Sequence, residues 1–111
     1  MFLELLAVAT IGSLVGCFTG LLPSLHVNTL AVLLLASAPL MNAAFQASGF
    51  SAQPAFLVAC LILAISVAHT FVNIIPATYL GAPDESTALS VLPGHQMLLR
   101  GTGYRAVQLS A

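Results

Sequence analysis

A polar segment from Thr19 to Thr29 breaks the apolar run that extends from Phe2 to Leu40. The segment contains Gly, Pro, Ser, His, Asn and Thr at a place where hydropathy puts the chain near lipid. Lipid offers no hydrogen bonds, so irregular backbone and polar side chains persist there only when they are buried in protein or line a wet cavity. The break therefore predicts a binding site, and the equal alternative is a proline kink whose polar groups satisfy one another.

Composition identifies the chain as an integral membrane protein. Of its 111 residues, 59% are hydrophobic and 5% are charged, whereas about 25% of residues are charged in a soluble domain. The net charge of -1 leaves no basic patch, which excludes nucleic acid as a partner. Glu4 stands where a cleaved signal peptide would carry basic residues, so we expect the first apolar run to be retained in the membrane.

Apolar runs long enough to cross the bilayer as helices lie at about 2–22, 25–44 and 55–75. At ~1.5 Å rise per residue, about 20 residues span the roughly 30 Å hydrocarbon layer. We expect Asn28 or Thr29 to cap the second helix. Its first-turn amides and positive dipole end would then lie beside Ser24 and His26, and helix starts of this kind bind anions.

Gly12, Gly16 and Gly20 recur every four residues, which places them on one face of the first helix. Such a face lets another backbone approach closely. Helix packing is therefore the favoured interpretation of these glycines, ahead of a direct substrate role. It requires a partner helix in the bilayer.

A polar stripe marks the second half of the third span, where Ser66, His69, Thr70 and Asn73 follow one another at helical spacing. These side chains share a face, and ionisable residues within a membrane indicate function. Ser66, His69 and Asn73 are therefore predicted to form an ion or polar relay. The alternative is interhelical hydrogen bonding that only fixes packing. Pro76 is expected to end or kink this helix.

From Gly81 onward the sequence is too polar, and its apolar runs too short, to span a bilayer. We expect Asp84 to be a helix N-cap and Pro93-Gly94 to stop that helix after about two turns. A short helix between Gly and Pro breaks predicts a re-entrant or interfacial hairpin at about 81–103, with a surface loop as the alternative. The predicted fold is an all-α integral membrane protein with about three transmembrane helices, Gly/Pro-broken segments and this hairpin.

Motifs of catalysis and metal binding are absent from the sequence. It contains no HExxH, CxxC, GxSxG or Gly-rich phosphate loop, so we predict that the chain is not an enzyme. The spacings of His26, His69 and His95 match no metal signature, and neither a metal site nor a cofactor is expected. Broken segments such as 20–29 and 81–94 build midplane sites in secondary transporters, for an anionic substrate and a coupling ion, here Na+ or H+.

The two broken segments resemble the tripartite tricarboxylate transporter permease family, whose large membrane subunit is often called TctA. Family members carry Gly-x-x-x-Gly-x-x-Pro-Gly-Leu early in the chain. Residues 16–25 follow this pattern, except that Ser24 replaces the glycine that usually follows the proline. The family's Gly-x-Pro motif, its Thr-Ala pair and its basic Gly-containing stretch are similar to residues 81–83, 87–88 and 101–105. Residues 92–95, Leu-Pro-Gly-His, are similar to the archaeal branch of the family.

The resemblance implies that residues 1–111 form a single membrane domain, the N-terminal portion of a larger multi-pass permease of the cell membrane. It implies ion-gradient-driven uptake of a di- or tricarboxylate or a similar small organic anion. The implied partners, besides the lipid bilayer, are a small membrane subunit and an extracytoplasmic binding protein. The residue pattern and the resemblance together predict a set of substrate-binding residues: Pro23, Ser24, His26, Asn28, Thr29, Gly81, Pro83 and Thr87.

A different class of function stays open, that of a small non-transporting membrane protein. Such a protein would act as an assembly or interaction partner, or as a homo-oligomer, through the face of Gly12, Gly16 and Gly20. Further spans encoded directly after Ala111 would favour the permease. A stop codon after Ala111, with no neighbouring membrane gene, would favour the alternative.

Overall fold

The computed structural model describes residues 1–23, 25–50, 52–82 and 87–110, and the regular structure in these ranges is helical. The helices are α1 (Phe2–Gly20), α2 (Val27–Ala36), α3 (Ala38–Ala47), α4 (Pro54–Leu80), α5 (Ala88–Leu99) and α6 (Gly103–Ser110). The predicted all-α fold is confirmed.

Two of the described helices, α1 and α4, are long and apolar enough to cross a membrane, with mean hydropathies of 1.8 and 2.4. The pair α2 and α3 would make a third span if it crosses as one unit, but its two halves are bent by 61°. The fold therefore has the two to three membrane-length segments that the apolar runs predict. The run predicted as one helix at 25–44 is divided in two.

The bend between α2 and α3 falls at Ser37, two residues before Pro39. Proline has no N–H and its ring clashes with the carbonyl four residues earlier, so Pro39 favours a break at the end of α2. It is tolerated in a first helical turn, where that N–H has no helical partner in any case, and Pro39 occupies this position in α3. Ser37 Oγ donates to the carbonyl of Leu34 at 2.9 Å, which satisfies part of the broken end.

Helices α1 and α4 pack side by side and form the main core. Val8 of α1 is buried with Leu57, Leu61 and Ile65 of α4. The three glycines of α1 are buried as well and lie against α4, on the face that the sequence predicts for packing. Close backbone approach between these two helices is the geometric basis of the fold.

The expected stop at Pro93-Gly94 is wrong, and so is the alternative in which Pro76 ends its helix, because both prolines lie inside helices. Helix α4 continues through Pro76 to Leu80 and ends where Gly81 adopts a left-handed backbone, φ 64°. Helix α5 likewise continues through Pro93 and Gly94 to Leu99. Membrane helices tolerate such residues because neighbouring helices and local adjustments satisfy the freed backbone groups. Packing of α5 on α4 therefore outweighs the local stop signal.

The predicted cap of α2 is also wrong. The N-cap is His26, with extended backbone, and the helix begins with the bond from Leu30 N to His26 O at 3.2 Å. Asn28 and Thr29 lie in the first turn of the helix. The helix therefore starts earlier than its polar residues suggest. The expected cap at Asp84 lies outside the described residues.

Candidate functional site

His69 is buried between α1 and α4, with 1% of its surface exposed. Its Nδ1 lies 3.1 Å from Thr19 Oγ1. The Thr19 hydroxyl donates its proton to the carbonyls of Val15 and Gly16, at 3.0 and 3.2 Å. A hydroxyl has one proton, and with that proton on a carbonyl the Thr19 oxygen accepts from His69; we infer from this that the ring hydrogen is on Nδ1.

The second ring nitrogen, His69 Nε2, is buried and has no hydrogen-bond partner among the described residues. Leaving a buried polar atom unpaired costs about 1–3 kcal/mol. With the hydrogen held on Nδ1, Nε2 presents a lone pair. The ring can therefore accept one proton or one hydrogen bond at a defined atom inside the membrane-spanning helix pair.

The glycine face of α1 sets the position of His69. A Cβ on Gly20 would lie 2.8 Å from the carbonyl oxygen of His69, and a Cβ on Gly16 would overlap the carbonyl oxygen of Ile65. A Cβ on Gly12 would lie 2.8 Å from Ala64 Cβ. Only glycine, whose side chain is a single hydrogen atom, lets α1 approach α4 closely enough at these positions for Thr19 to reach the imidazole.

A groove of about 400 Å³ lies between α2 and α4. Asn28 from α2 faces Ser66 and Thr70 from α4 across it, and the other described lining residues are Val27, Ala31, Val67 and Phe71. The structure thus brings one predicted substrate-binding residue, Asn28, together with one predicted relay residue, Ser66. The lining combines an apolar floor with a few neutral polar groups, the usual composition of a small-molecule site.

A second group of polar contacts lies at the C-terminal end of α4. His95 Nδ1 lies 2.8 Å from the carbonyl oxygen of Thr78, and because a carbonyl only accepts, Nδ1 is the donor. The imidazole of His95 lies against Gly81, where a Cβ would be 2.9 Å from Nε2. Gly94 lies against the side chain of Thr78, where a Cβ would be 3.2 Å from Thr78 Cγ2. Glycine on each side therefore allows α5 to dock on the end of α4.

The remaining predicted residues are distributed over several places. Pro23, His26 and Thr29 are exposed near the start of α2, and Gly81 contacts His95. Thr87 is buried beside a cavity that shares Thr70 and Phe71 with the α2–α4 groove. Asn73 is half-buried and has a hydrogen-bond or electrostatic partner. Ser24 and Pro83 lie outside the described residues.

Sequence reasoning missed Thr19, Thr78 and His95 as contact residues. Thr19 adjoins Gly20, so its place beside the glycine face is a usable signal. The Gly94-His95 pair is a second signal, since a glycine that permits close approach is followed by a side chain that can bond to the neighbour. Thr78 offers no sequence signal, because its contact with His95 is made through the backbone carbonyl.

The three histidines lie in different surroundings. His26 is exposed at the start of α2, His69 lies between α1 and α4, and His95 contacts the end of α4. In the ranges that the structure describes, no group of three His, Cys, Asp or Glu side chains is placed to hold a metal ion.

Comparison with known proteins gives one family and one relative. The sequence pattern of the Tripartite tricarboxylate transporter TctA family matches residues 6–111. The chain is also similar to the uncharacterized protein MJ1079 of Methanocaldococcus jannaschii, with 35% identity over 100 residues, which is 90% of this chain. The matched region covers 22% of the length of that archaeal protein. No solved structure matches the chain significantly.

Proposed function

Because this chain belongs to the tripartite tricarboxylate transporter TctA family, we propose that it is a permease component of a secondary active transporter. The cargo is a di- or tricarboxylate or a similar small organic anion, and an ion gradient drives uptake. The chain matches 22% of the length of its archaeal relative, so we assign transport to a longer permease in which α1–α6 form one part.

The observation that carries the proposal is the groove between α2 and α4. Val27 and Asn28, from the first turn of α2, line it together with Ser66 and Thr70. The positive end of the α2 dipole therefore lies at the groove, and neutral side chains supply hydrogen bonds. Secondary transporters bind anionic groups at broken helices by this combination.

The residue roles in this proposal are those that the sequence predicts, and Asn28 is the member of the substrate-binding set that lines the groove. The substrate contacts of the proposal are Pro23, Ser24, His26, Asn28, Thr29, Gly81, Pro83 and Thr87. The coupling ion, Na+ or H+, passes along Ser66, His69 and Asn73 of α4. The bare Nε2 of His69 supports a proton-accepting role at this position.

We also propose where the chain works and with which partners. A multi-pass permease of this family works in the cell membrane with a small membrane subunit and an extracytoplasmic binding protein. No bond is made or broken in the cargo, so the chain is not an enzyme and needs no cofactor. In the alternative, an interaction partner would dock through the glycine face, and α4 of the same chain covers that face.

The groove is tested by replacing Asn28 with alanine in the complete permease and measuring uptake of radiolabelled citrate into cells. Loss of one hydrogen bond to a charged ligand, about 1.5–3 kcal/mol, is expected to raise KM more than tenfold. His26→Ala is expected to weaken uptake as well. Membrane insertion of both variants should equal that of the wild type.

The matched control is Thr10→Val, because Thr10 is exposed on α1 and its hydroxyl bonds only to its own helix. This variant should take up citrate normally. Unchanged uptake kinetics in both Asn28→Ala and His26→Ala would remove the start of α2 from the substrate site.

A further inference from the structure

Both cationic side chains of the sequence lie at one turn of the fold. Arg100 and Arg105 are the only lysine or arginine residues among the 111, and they flank the turn from α5 to α6. Both are exposed. Among the described residues the one acidic side chain is Glu4, which pairs with the amino group of Met1 at 3.2 Å. We call residues 100–105 the arginine corner, and the proposed transport site does not use its charge.

The arginine corner is a tight connection between two packed helices. Gly101 has a left-handed backbone, φ 82°, which favours glycine. The backbone N–H and the hydroxyl of Thr102 both donate to the carbonyl oxygen of Met97, each at 2.9 Å. A Cβ on Gly103 would overlap the side chain of Leu98, so the start of α6 packs directly on the end of α5. The two arginines are therefore held on one short, closed turn.

Helix contacts place the arginine corner beyond the C-terminal end of α4. Thr87, at the start of α5, lines a cavity together with Thr70 of α4, and His95, farther along α5, contacts the carbonyl of Thr78. Helix α5 therefore runs along α4 in the same direction. At ~1.5 Å rise per residue, Arg100 lies about 7–8 Å beyond His95. Since α4 ends two residues after Thr78, the corner extends past the last turn of that helix.

The end of α4 lies at the depth of lipid headgroups. Its 27 residues have a mean hydropathy of 2.4, and at ~1.5 Å per residue they extend about 40 Å, close to the thickness of a bilayer with its headgroup regions. Beside the arginines, Leu99, Tyr104 and Leu109 are 76%, 74% and 72% exposed. Exposed guanidinium groups next to apolar side chains and an aromatic ring are typical of a surface that lies in the membrane interface.

We propose that the arginine corner binds the headgroup of an anionic phospholipid. A guanidinium group forms paired hydrogen bonds with phosphate oxygens, and the ring of Tyr104 packs at the boundary between headgroups and acyl chains. Charge complementarity selects the lipid, because phosphatidylglycerol carries a net negative charge and phosphatidylcholine carries none. Binding of this lipid does not depend on the proposed function.

The sequence contains no tryptophan, so Tyr104→Trp introduces a single fluorophore at the arginine corner. This variant is reconstituted into phosphatidylcholine vesicles that contain brominated phosphatidylglycerol as a minor component, or brominated phosphatidylcholine in matched samples. Bromine quenches the fluorescence of a tryptophan that it contacts. We expect stronger quenching by the anionic lipid, with an association constant roughly fivefold above that of phosphatidylcholine for each arginine. High salt should reduce this preference, because it screens exposed charges.

Substitutions of the arginines are made in the Tyr104→Trp background. Arg100→Gln and Arg105→Gln should each lower the preference about fivefold, whereas Arg100→Lys and Arg105→Lys keep the charge and should keep the preference. Phe56→Trp, in place of Tyr104→Trp, is the matched control. Phe56 is also an exposed aromatic residue, but it lies at the opposite end of α4. A tryptophan there should show no preference for the anionic lipid.

A second measurement needs no tryptophan. Phosphatidylglycerol added to the wild-type chain in detergent should raise the midpoint of thermal unfolding, phosphatidylcholine should not, and the double glutamine variant should lose the effect. Helix content and elution from gel filtration identify any variant that fails to fold.

Three results would overturn the lipid site. The first is equal quenching of Tyr104→Trp by both brominated lipids, and the second is a preference that remains after both arginines are replaced by glutamine. The third is weak quenching of Tyr104→Trp by both lipids together with strong quenching of Phe56→Trp, which would show that protein covers the arginine corner.

Discussion

Several hydroxyl side chains in the described helices and at their ends bond to backbone carbonyls nearby in the chain. Thr10, Thr19, Ser37, Ser48, Thr70 and Ser110 each donate to a carbonyl three or four residues earlier. Such bonds lower the free-energy cost of placing a hydroxyl in lipid, where no water is present to bond to it. Links between elements come from other side chains, including His69, His95 and Glu4, whose Oε2 accepts from Ala52 N at 3.2 Å.

Thr19→Val is expected to let the imidazole of His69 adopt either tautomer. The substitution removes the hydrogen-bond acceptor of Nδ1–H and leaves a buried polar group without its bond, which costs about 1–3 kcal/mol. Nitrogen NMR of the labelled imidazole should show a fixed Nδ1–H form in the wild type and a mixture of tautomers in the variant. Thr10→Val is the control, and a mixture already present in the wild type would contradict the assignment.

His95→Asn and His95→Gln are expected to differ, because the amide nitrogen of asparagine reaches the position of Nδ1 and that of glutamine the position of Nε2. Asparagine should keep the bond to Thr78 O, and glutamine should lose about 1 kcal/mol of stability. Thermal unfolding in detergent measures both. Equal midpoints for the two variants would show that the bond at Nδ1 does not hold α5 on α4.

At the scale of elements, α4 is the helix on which the others pack. Each of α1, α2, α3, α5 and α6 contacts it. Its contact with α1 depends on three glycines, while its contact with α5 depends on Gly81, Gly94 and a histidine. Small residues therefore determine which helices meet, in agreement with packing in membranes, where lipid tails remove the hydrophobic drive between helices.

Gly16→Ala is expected to separate α1 from α4. In an isolated helix alanine is favoured over glycine by about 1 kcal/mol, so a purely local effect would stabilise the protein. Here the added Cβ would lie 2.8 Å from Ala68 Cβ and would overlap the carbonyl oxygen of Ile65. Overpacking costs about 1–3 kcal/mol, and net destabilisation is the expected result.

Thermal unfolding in detergent measures the sign of this effect. Ser13→Ala, at an exposed position of the same helix, is the control and should change the midpoint little. A higher midpoint for Gly16→Ala would show that the helix contact is looser than the structure has it.

The apolar runs and the glycine face could be predicted from the sequence, because lipid fixes helix length and a period of four fixes a face. The effect of proline could not. Pro39 begins a new helix after a bend, whereas Pro76 and Pro93 lie within continuous helices. The proline ring imposes the same backbone constraint in each case, so the outcome depends on the surrounding residues and helices. The polar stripe of α4 predicts where a site lies, but not that Thr19 and Asn28 approach it from two other helices.

At the scale of the whole molecule, the described chain measures 54 × 25 × 17 Å. A helix with its side chains is about 10–12 Å wide, so the shortest dimension is less than two helices across. Large apolar side chains are exposed along the length of α1 and α4, from Phe2 to Phe18 and from Phe56 to Leu80. Such a thin layer leaves its outer surfaces to lipid or to other helices.

The pairing of α1 with α4 has a consequence for biosynthesis. Thr19 and His69, which bond to each other, are separated by 50 positions in the chain, and α2 and α3 are made between them. At roughly 5–20 residues per second, a ribosome needs several seconds to deliver the second helix after the first. During that interval the glycine face of α1 lacks α4, the helix that covers it in the folded chain. Insertion machinery that keeps new helices together would therefore govern the yield of folded protein.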